Sequence, residues 1–452
     1  PAFSYDAEVK VFGGFTRNFA QRSLTLNFSR GADNDRIRLP LFGEAILDWK
    51  GDVLDSFERL RLHSGGNDAK HTGFLEGFIQ ALSRDMEAGT AAYSPAITFI
   101  DGEYWGLYGL REHYTSDYFV KHFGVDKTNI VYLEFIWGCD NVPNVSEGTE
   151  ADVAFYEEMY GYLSENDFSD PEVYRHFEST YMDLDSFIDF CIVHIYSANK
   201  DWPGNNNKMW RVREPEEGNP YADGRWRYLI HDVDGGMKDL SYDMFAHLSD
   251  RTQVGGMAYE ARPRWATLFF RKLMENEDFF RRFTDRLLHH LNSTYERSRV
   301  RTALNTMQDR LLPHLVAQKE RWNLDTAYPL AQALLNLKTF ALSRPRVLLN
   351  EMAYTYGLAG VARIDLEGLD PQADWSVRFG DNEFDLSGQE AASFYDFLDR
   401  PVTLAGTSPR LLGFEVMGED ETAAPRFLPG GTVVLSPEEP MIRVRPVLAD
   451  PT

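Results

Sequence analysis

The pattern of apolar and polar positions divides the chain into three textures. Residues 5–42 alternate in short runs, namely Ala7-Glu8-Val9-Lys10-Val11, Ser23-Leu24-Thr25-Leu26-Asn27-Phe28 and Ile37-Arg38-Leu39. A period of two predicts antiparallel strands. Residues 57–63 continue the alternation, and Arg59 and Arg61 fall between Leu60 and Leu62, so one strand face is basic. A helix is expected through 73–86. Residues 96–100 and 104–110 flank Asp101-Gly102, a tight-hairpin signal. The second arm ends in Arg111-Glu112, where strand gives way to a helical stretch with Tyr118, Phe119 and His122. At such a junction Glu112 points into a cleft or joins a surface ion pair.

From 151 to 198 the spacing turns helical, with Phe155, Met159, Tyr160 and Leu163 on one face and Leu184, Phe187, Ile188, Cys191 and Ile195 on another. Residues 263–353 keep that period, through Leu268, Phe269, Leu273, Phe279, Phe280, Phe283 and Leu287, and read as a supporting helical bundle. Beyond 355 come short apolar runs broken by Gly, Pro and Asp: 360–365, 401–404, 413–416 and 431–435. They predict a small all-β domain. The expectation is therefore an α+β chain in two parts, residues 1–354 and 355–452.

Chemistry concentrates between 201 and 236. Lys200-Asp201-Trp202-Pro203-Gly204-Asn205-Asn206 is a loop, since Pro and Gly separate Asp201 from Asn206. Arg225 to Ile230 reads as a strand that delivers Asp232 and Asp234, followed by Gly235-Gly236. A loop Asp, an Asn five positions on, and a later strand-end Asp before glycine form the layout of a phosphoryl-transfer site. There the first Asp acts as base, and Asn and the later Asp hold magnesium. The same residues are also ordinary turn formers, and a calcium-binding turn draws on the same oxygens. Two neighbouring carboxylates repel unless a cation or donors separate them, which weighs toward a site. A nucleotide-sugar transferase would use an Asp-x-Asp too, but would need a parallel sheet that the early chain does not signal. A polar, glycine-bearing connection with Asp239, Asp243, Asp250 and Gly255-Gly256 follows.

Between the first two strands lies Phe12-Gly13-Gly14-Phe15-Thr16-Arg17, continuing to Gln21-Arg22. The Gly13-Gly14 turn with Thr16, Arg17 and Arg22 could meet phosphate oxygens through backbone N–H groups and guanidinium forks, or be a plain hairpin. The formal charge of −24 over 452 residues argues against a nucleic-acid partner. No apolar run is long enough for a membrane span. Cys139 and Cys191 make one disulfide or none and lack metal-ligand spacing. His289-His290 reads as surface.

Taken together, Gly102-Glu103-Tyr104-Trp105-Gly106-Leu107-Tyr108 leading to Glu112, Asp201-Trp202-Pro203-Gly204-Asn205-Asn206, and Trp226-Arg227-Tyr228 with His231-Asp232-Val233-Asp234-Gly235-Gly236 resemble the CotH-type kinases. That family is named for a bacterial spore coat protein. The resemblance covers residues 5–353, including 265–273 and Arg321-Trp322. It implies a two-lobed atypical protein-kinase-like fold that moves phosphate from ATP to protein hydroxyls with Mg²⁺ (or Mn²⁺ or Ca²⁺). By resemblance Asp201 is the base, Asn206 with Asp232 or Asp234 holds metal, Glu112 pairs a phosphate-binding cation, and Gly13 to Arg22 is the nucleotide loop. It also implies a secreted or cell-surface location and a protein partner. The alternative is a silent scaffold or surface-binding protein that keeps the fold and a calcium ion; transfer of AMP is a further variant. Arg22 stands where the family tends to carry lysine, and Ile230-His231-Asp232 where it usually has Pro-Trp-Asp.

Overall fold

A computed structural model describes residues 3–30, 35–136, 138–249, 263–324, 329–418 and 424–449. The architecture is mixed α+β. In chain order the elements begin with β1 (Glu8–Phe12), β2 (Ser23–Asn27), β3 (Ile37–Arg38), β4 (Ser56–Phe57), β5 (Arg59–His63), α1 (Leu75–Leu82), β6 (Tyr93–Ile100) and β7 (Glu103–Glu112). Next come α2 (Ser116–Phe123), β8 (Ile130–Phe135), β9 (Asn144–Glu147), α3 (Val153–Glu165), α4 (Pro171–Thr180), α5 (Leu184–Ser197), β10 (Asn207–Val212) and β11 (Arg227–Tyr228). The helices α6 (Met244–Ser249), α7 (Arg264–Leu273), α8 (Glu277–Asn292), α9 (Arg297–Trp322) and α10 (Leu330–Tyr356) follow.

Two compact units emerge. The first comprises residues 1–242, 247–276 and 300–342. Its larger sheet is antiparallel with strand order β1-β2-β5-β7-β6. The Asp101-Gly102 signal closes β6 onto β7, and both turn residues take positive φ, 51° and 80°, as a tight hairpin turn requires. The second sheet, β11-β10-β8-β9, is antiparallel as well. Its core joins Tyr118 and Phe119 of α2 to Ile130, Tyr132, Trp210, Val212 and Leu229. Helix α5 is capped by Asp183, whose side chain accepts the Ser186 N–H at 3.1 Å. Every α5 residue except Asp185 is buried, which suits a helix that is apolar on all sides.

The second unit comprises residues 243–246, 277–299 and 343–452. It contains β12 (Val361–Glu367), β13 (Trp375–Phe379), β14 (Asn382–Asp385), β15 (Ala391–Phe397), β16 (Pro401–Gly406), β17 (Leu411–Met417), β18 (Arg426–Leu428), β19 (Thr432–Val434) and β20 (Met441–Leu448). These make two sheets, β15-β12-β20-β17-β18 and β14-β13-β16-β19, that share one core around Ile364, Trp375, Val377, Val402, Phe414 and Ile442.

Several expectations need correction. His289 and His290 are not surface residues. His290 is buried with Nδ1 3.0 Å from Thr294 Oγ1, and His289 stacks on Phe384 at 5.5 Å, because α8 packs against the strands. The run 225–230 yields only the two-residue strand β11, since its flanks bond to other segments: Trp226 N–H to Tyr181 O and Ile230 N–H to Gly89 O. Cys139 and Cys191 are both free thiols. Asp250, Gly255 and Gly256 lie outside the described residues. Among the described residues no helix is long and apolar enough to cross a membrane.

Candidate active site

The end of α5 sets the first half of the site. Ala198 turns left-handed (φ 49°), and the next side chain, Asn199, ties three segments together. Its Oδ1 accepts the Asp201 N–H at 3.3 Å, and its Nδ2 donates to the Asp232 carbonyl at 3.2 Å and lies 3.2 Å from His194 Nδ1. Burial pushes His194 down to about 3, so its ring is neutral, and it stacks on Trp202 at 4.8 Å. Asn206 sits at φ 63° and donates Nδ2 to Asp201 Oδ2 at 2.9 Å; Asn205 adds a bond at 3.2 Å. The Asn206 bond uses the amide nitrogen and leaves the Asn206 Oδ1 outside it. Even with these two amides, burial and then the nearby Asp232 push the Asp201 carboxyl up to about 7.

The second half is delivered by β11. The Ile230 carbonyl accepts from Gln80 Nε2 at 2.9 Å and from the Tyr114 hydroxyl at 2.7 Å, which fixes the chain just before Asp232. Asp232 takes φ 54°. Glu76 of α1 then grips the turn: its two oxygens accept the Asp232 N–H at 3.2 Å and the Val233 N–H at 2.7 Å, and Arg111 binds the same carboxylate at 2.8 Å. Asp234 accepts Asn67 N–H at 2.9 Å and Asn67 Nδ2 at 3.2 Å. Gly66 (φ 53°) is required beside it, because a Cβ there would overlap the Asp234 carboxyl. Gly236 lets the chain press onto α5, where Met237 N–H donates to Ser197 O at 2.6 Å.

Asp234 is buried and Asp232 half-buried, and the two carboxyls lie close enough to act on each other's charge. Burial raises both; Glu76 adds to the rise at Asp232, and Asp232 and Glu76 add to it at Asp234. An acidic pair left in this state is a place for a cation, since opposite charge is what restores buried carboxylates to their ionised form. Asn206 Oδ1, Asp232 and Asp234 are hard oxygen donors of the kind Mg²⁺ takes, and the site therefore fits that ion. Among the described residues no group of three or more His, Cys, Asp or Glu side chains is arranged to hold a metal. A cation here would draw on two aspartates and an asparagine, with coordination left for ligand or water oxygens.

Cations line the other wall. Arg61 of β5 and Arg111 of β7 are cross-strand partners. Arg111 is engaged by Glu76, whereas Arg61 makes its direct contacts with His113 Nε2 at 2.6 Å and the face of Phe12 at 4.5 Å, with Glu134 acting on it from further off. Its Nε is buried without a partner, as is His113 Nδ1. Burial, aided by Arg111, brings the Arg61 guanidinium down to about 10. Lys208 of β10 pairs with Glu134 and lies 3.1 Å from the Tyr132 hydroxyl. Burial holds His63, His113 and His231 well below the ordinary histidine range, so they add dipoles and not charge. A guanidinium with one buried, unpartnered N–H beside a second arginine is arranged to receive an anion.

The fold therefore brings Asp201, Asn206, Asp232 and Asp234 together. Glu112 lies elsewhere: it accepts the Ala92 N–H at 3.0 Å and holds His122 Nε2 at 2.9 Å. In the Gly13-Gly14 turn the Thr16 hydroxyl packs over Gly13, while Arg17 and Arg22 are exposed. Arg22 offers only its carbonyl, which accepts from the Tyr108 hydroxyl at 2.9 Å. The turn reaches the site through Phe12, whose ring carries Arg61 and lies 6.2 Å from His63. Sequence reading passed over Glu76, Arg111, Asn67 and Lys208. For Glu76 a signal existed, since Glu76 and Gln80 sit one turn apart within the apolar stretch Leu75 to Leu82.

Against known proteins, residues 9–348 match the family described as CotH kinase protein. No curated protein matches the chain.

Proposed function

Because the chain belongs to the CotH kinase protein family, we propose that it transfers the γ-phosphoryl group of ATP to a protein hydroxyl. The fold this requires is a two-lobed kinase-like one, with the β-rich strands after 360 as an appended domain. The observation that carries the reading is the acidic pair Asp232–Asp234, both carboxyls raised, beside the amide-held Asp201. Asp201 accepts the proton of the acceptor hydroxyl, and its elevated pKa makes it a stronger base than a free aspartate. Asn206 and the acidic pair would hold Mg²⁺, which neutralises phosphate charge when bound. Arg61 orients phosphate oxygens. Glu76, not Glu112, is assigned the task of pairing a site cation, because it already holds Arg111 and both N–H groups of the Asp232 turn.

The test is incubation with γ-labelled and, separately, α-labelled ATP with Mg²⁺ or Mn²⁺, using the protein itself and a generic protein acceptor. Label is expected from the γ position only. Asp201→Asn should lower it by about 10³-fold while ATP binding stays within a few fold. Label from the α position would replace the reading with AMP transfer. No label, with no ATP-induced change in melting temperature, would leave a silent scaffold.

A further inference from the structure

A second cavity, of about 360 Å³, lies in the first unit behind the segment 86–92. Its size falls within the ordinary range of small-molecule sites, about 300–1,000 Å³. Neither Asp201, Asn206, Asp232 nor Asp234 lines it. The walls are held before any ligand arrives. Tyr118 donates its hydroxyl to Thr90 O at 2.7 Å, Ala91 N–H donates to Gln80 Oε1 at 3.0 Å, and Gly89 N–H to Tyr228 O at 2.9 Å. Phe42, Ile46, Met86 and Phe123 supply apolar surface.

Two basic side chains, Arg84 and His122, and one carboxylate, that of the exposed Glu87, complete the lining. Arg84 is exposed and has no acidic partner among the described residues. His122 is anchored through Nε2 on Glu112 and stacks on Tyr118 at 4.2 Å, which leaves Nδ1 as its remaining polar atom. A preformed chamber of mixed lining, with an aromatic and apolar wall, a guanidinium outside any ion pair and a fixed imidazole, suits a flat ring system bearing an acid.

We propose that this cavity is a binding site for a small aromatic acid, its ring against Phe42, Met86 and Phe123 and its anion on Arg84. The site is independent of the phosphoryl-transfer reading. The probe is 8-anilino-1-naphthalenesulfonate, titrated by fluorescence against the full chain with and without Mg²⁺ and ATP. One equivalent should bind, and ATP should not displace it. Ala45→Trp, at an exposed lining position, fills the chamber and should weaken binding at least about tenfold. Arg84→Gln should weaken the sulfonate probe severalfold but leave the uncharged parent, N-phenyl-1-naphthylamine, unaffected. Far-UV circular dichroism and melting temperature show that each variant is folded. Binding unchanged in both folded variants, competition by ATP, or no binding at all would each overturn the proposal.

Discussion

At the start of β11 the Asp223 carboxylate receives Arg225 Nε at 2.8 Å and Arg227 NH1 and NH2 at 2.9 and 3.0 Å. Asp183 takes Arg227 from the other side at 3.0 Å. Although burial works against it, this arginine clamp holds Asp223 well below the usual carboxylate range. At the far end of the same strand, Asp232 and Asp234 face each other and Glu76, and both are raised. Within a few residues, then, one end has its carboxylate clamped by arginines, and the other holds an acidic pair that Arg111, Lys208 and Asn67 only partly offset. The first arrangement stabilises the fold. The second costs stability unless a ligand supplies the missing positive charge, and that marks it as the working end.

The sharpest way to break this contrast is to remove one carboxylate from each end. Asp234→Asn should lower metal-dependent ATP affinity by at least about a hundredfold, yet leave the melting temperature equal or higher at pH 8, because a buried charge disappears. Asp223→Asn should do the reverse: nucleotide affinity unchanged, stability reduced by about 2 kcal/mol through loss of charge-assisted hydrogen bonds. Calorimetric titration and urea unfolding read the two effects. An Asp223 variant that lost ATP binding while remaining folded would erase the distinction between the ends.

What sequence alone could and could not reveal follows the same division. Asp201, Asn206, Asp232 and Asp234 stand out because each lies in a short turn whose neighbours, Pro203, Gly204, Gly235 and Gly236, announce a special backbone. The expected strands of the first unit, the Asp101-Gly102 hairpin and the helices after 263 were legible from period alone. Their partners were not. Arg61 and Arg111 meet only because β5 pairs with β7 in one register, and that pairing joins residues fifty positions apart. Arg59 and Arg61 read as one basic strand face; Arg61 is half-buried because Phe12 and His113 cover it. His289 and His290 were misread for a related reason, since their cover comes from strands beyond residue 380.

A smaller effect separates the two ends by pH. Asp201 has a folded pKa raised to about 7, so between the free-aspartate value and 7 the native state binds the extra proton and stability falls as pH rises. Asp223 is depressed, so its contribution is present above the free value and is lost only as pH falls below it. Urea midpoints measured without metal should decline from pH 4 to 7, and Asp201→Asn should flatten that decline. Saturating Mn²⁺ should flatten it too, since a nearby cation favours the carboxylate. Metal affinity should rise over the same interval. A midpoint that climbs from pH 4 to 7 would mean that the acidic end is already compensated.

The smallest effect concerns the glycine turn. Arg22 is exposed, and its one fixed bond uses the backbone carbonyl, which any side chain leaves in place. Arg22→Lys should therefore change ATP affinity by less than about twofold, within the ±0.5 kcal/mol usual for surface substitutions. Arg61→Gln is the companion measurement. Arg61 carries a buried, unpartnered Nε and sits across the strand pair from Arg111, so its loss should weaken ATP by about tenfold or more. The comparison is read by calorimetry at one salt concentration, because both terms are electrostatic. If Arg22→Lys moved affinity tenfold and Arg61→Gln did not, the phosphate-binding cation would belong to the turn, and the buried wall of arginines would be structural like the clamp on Asp223.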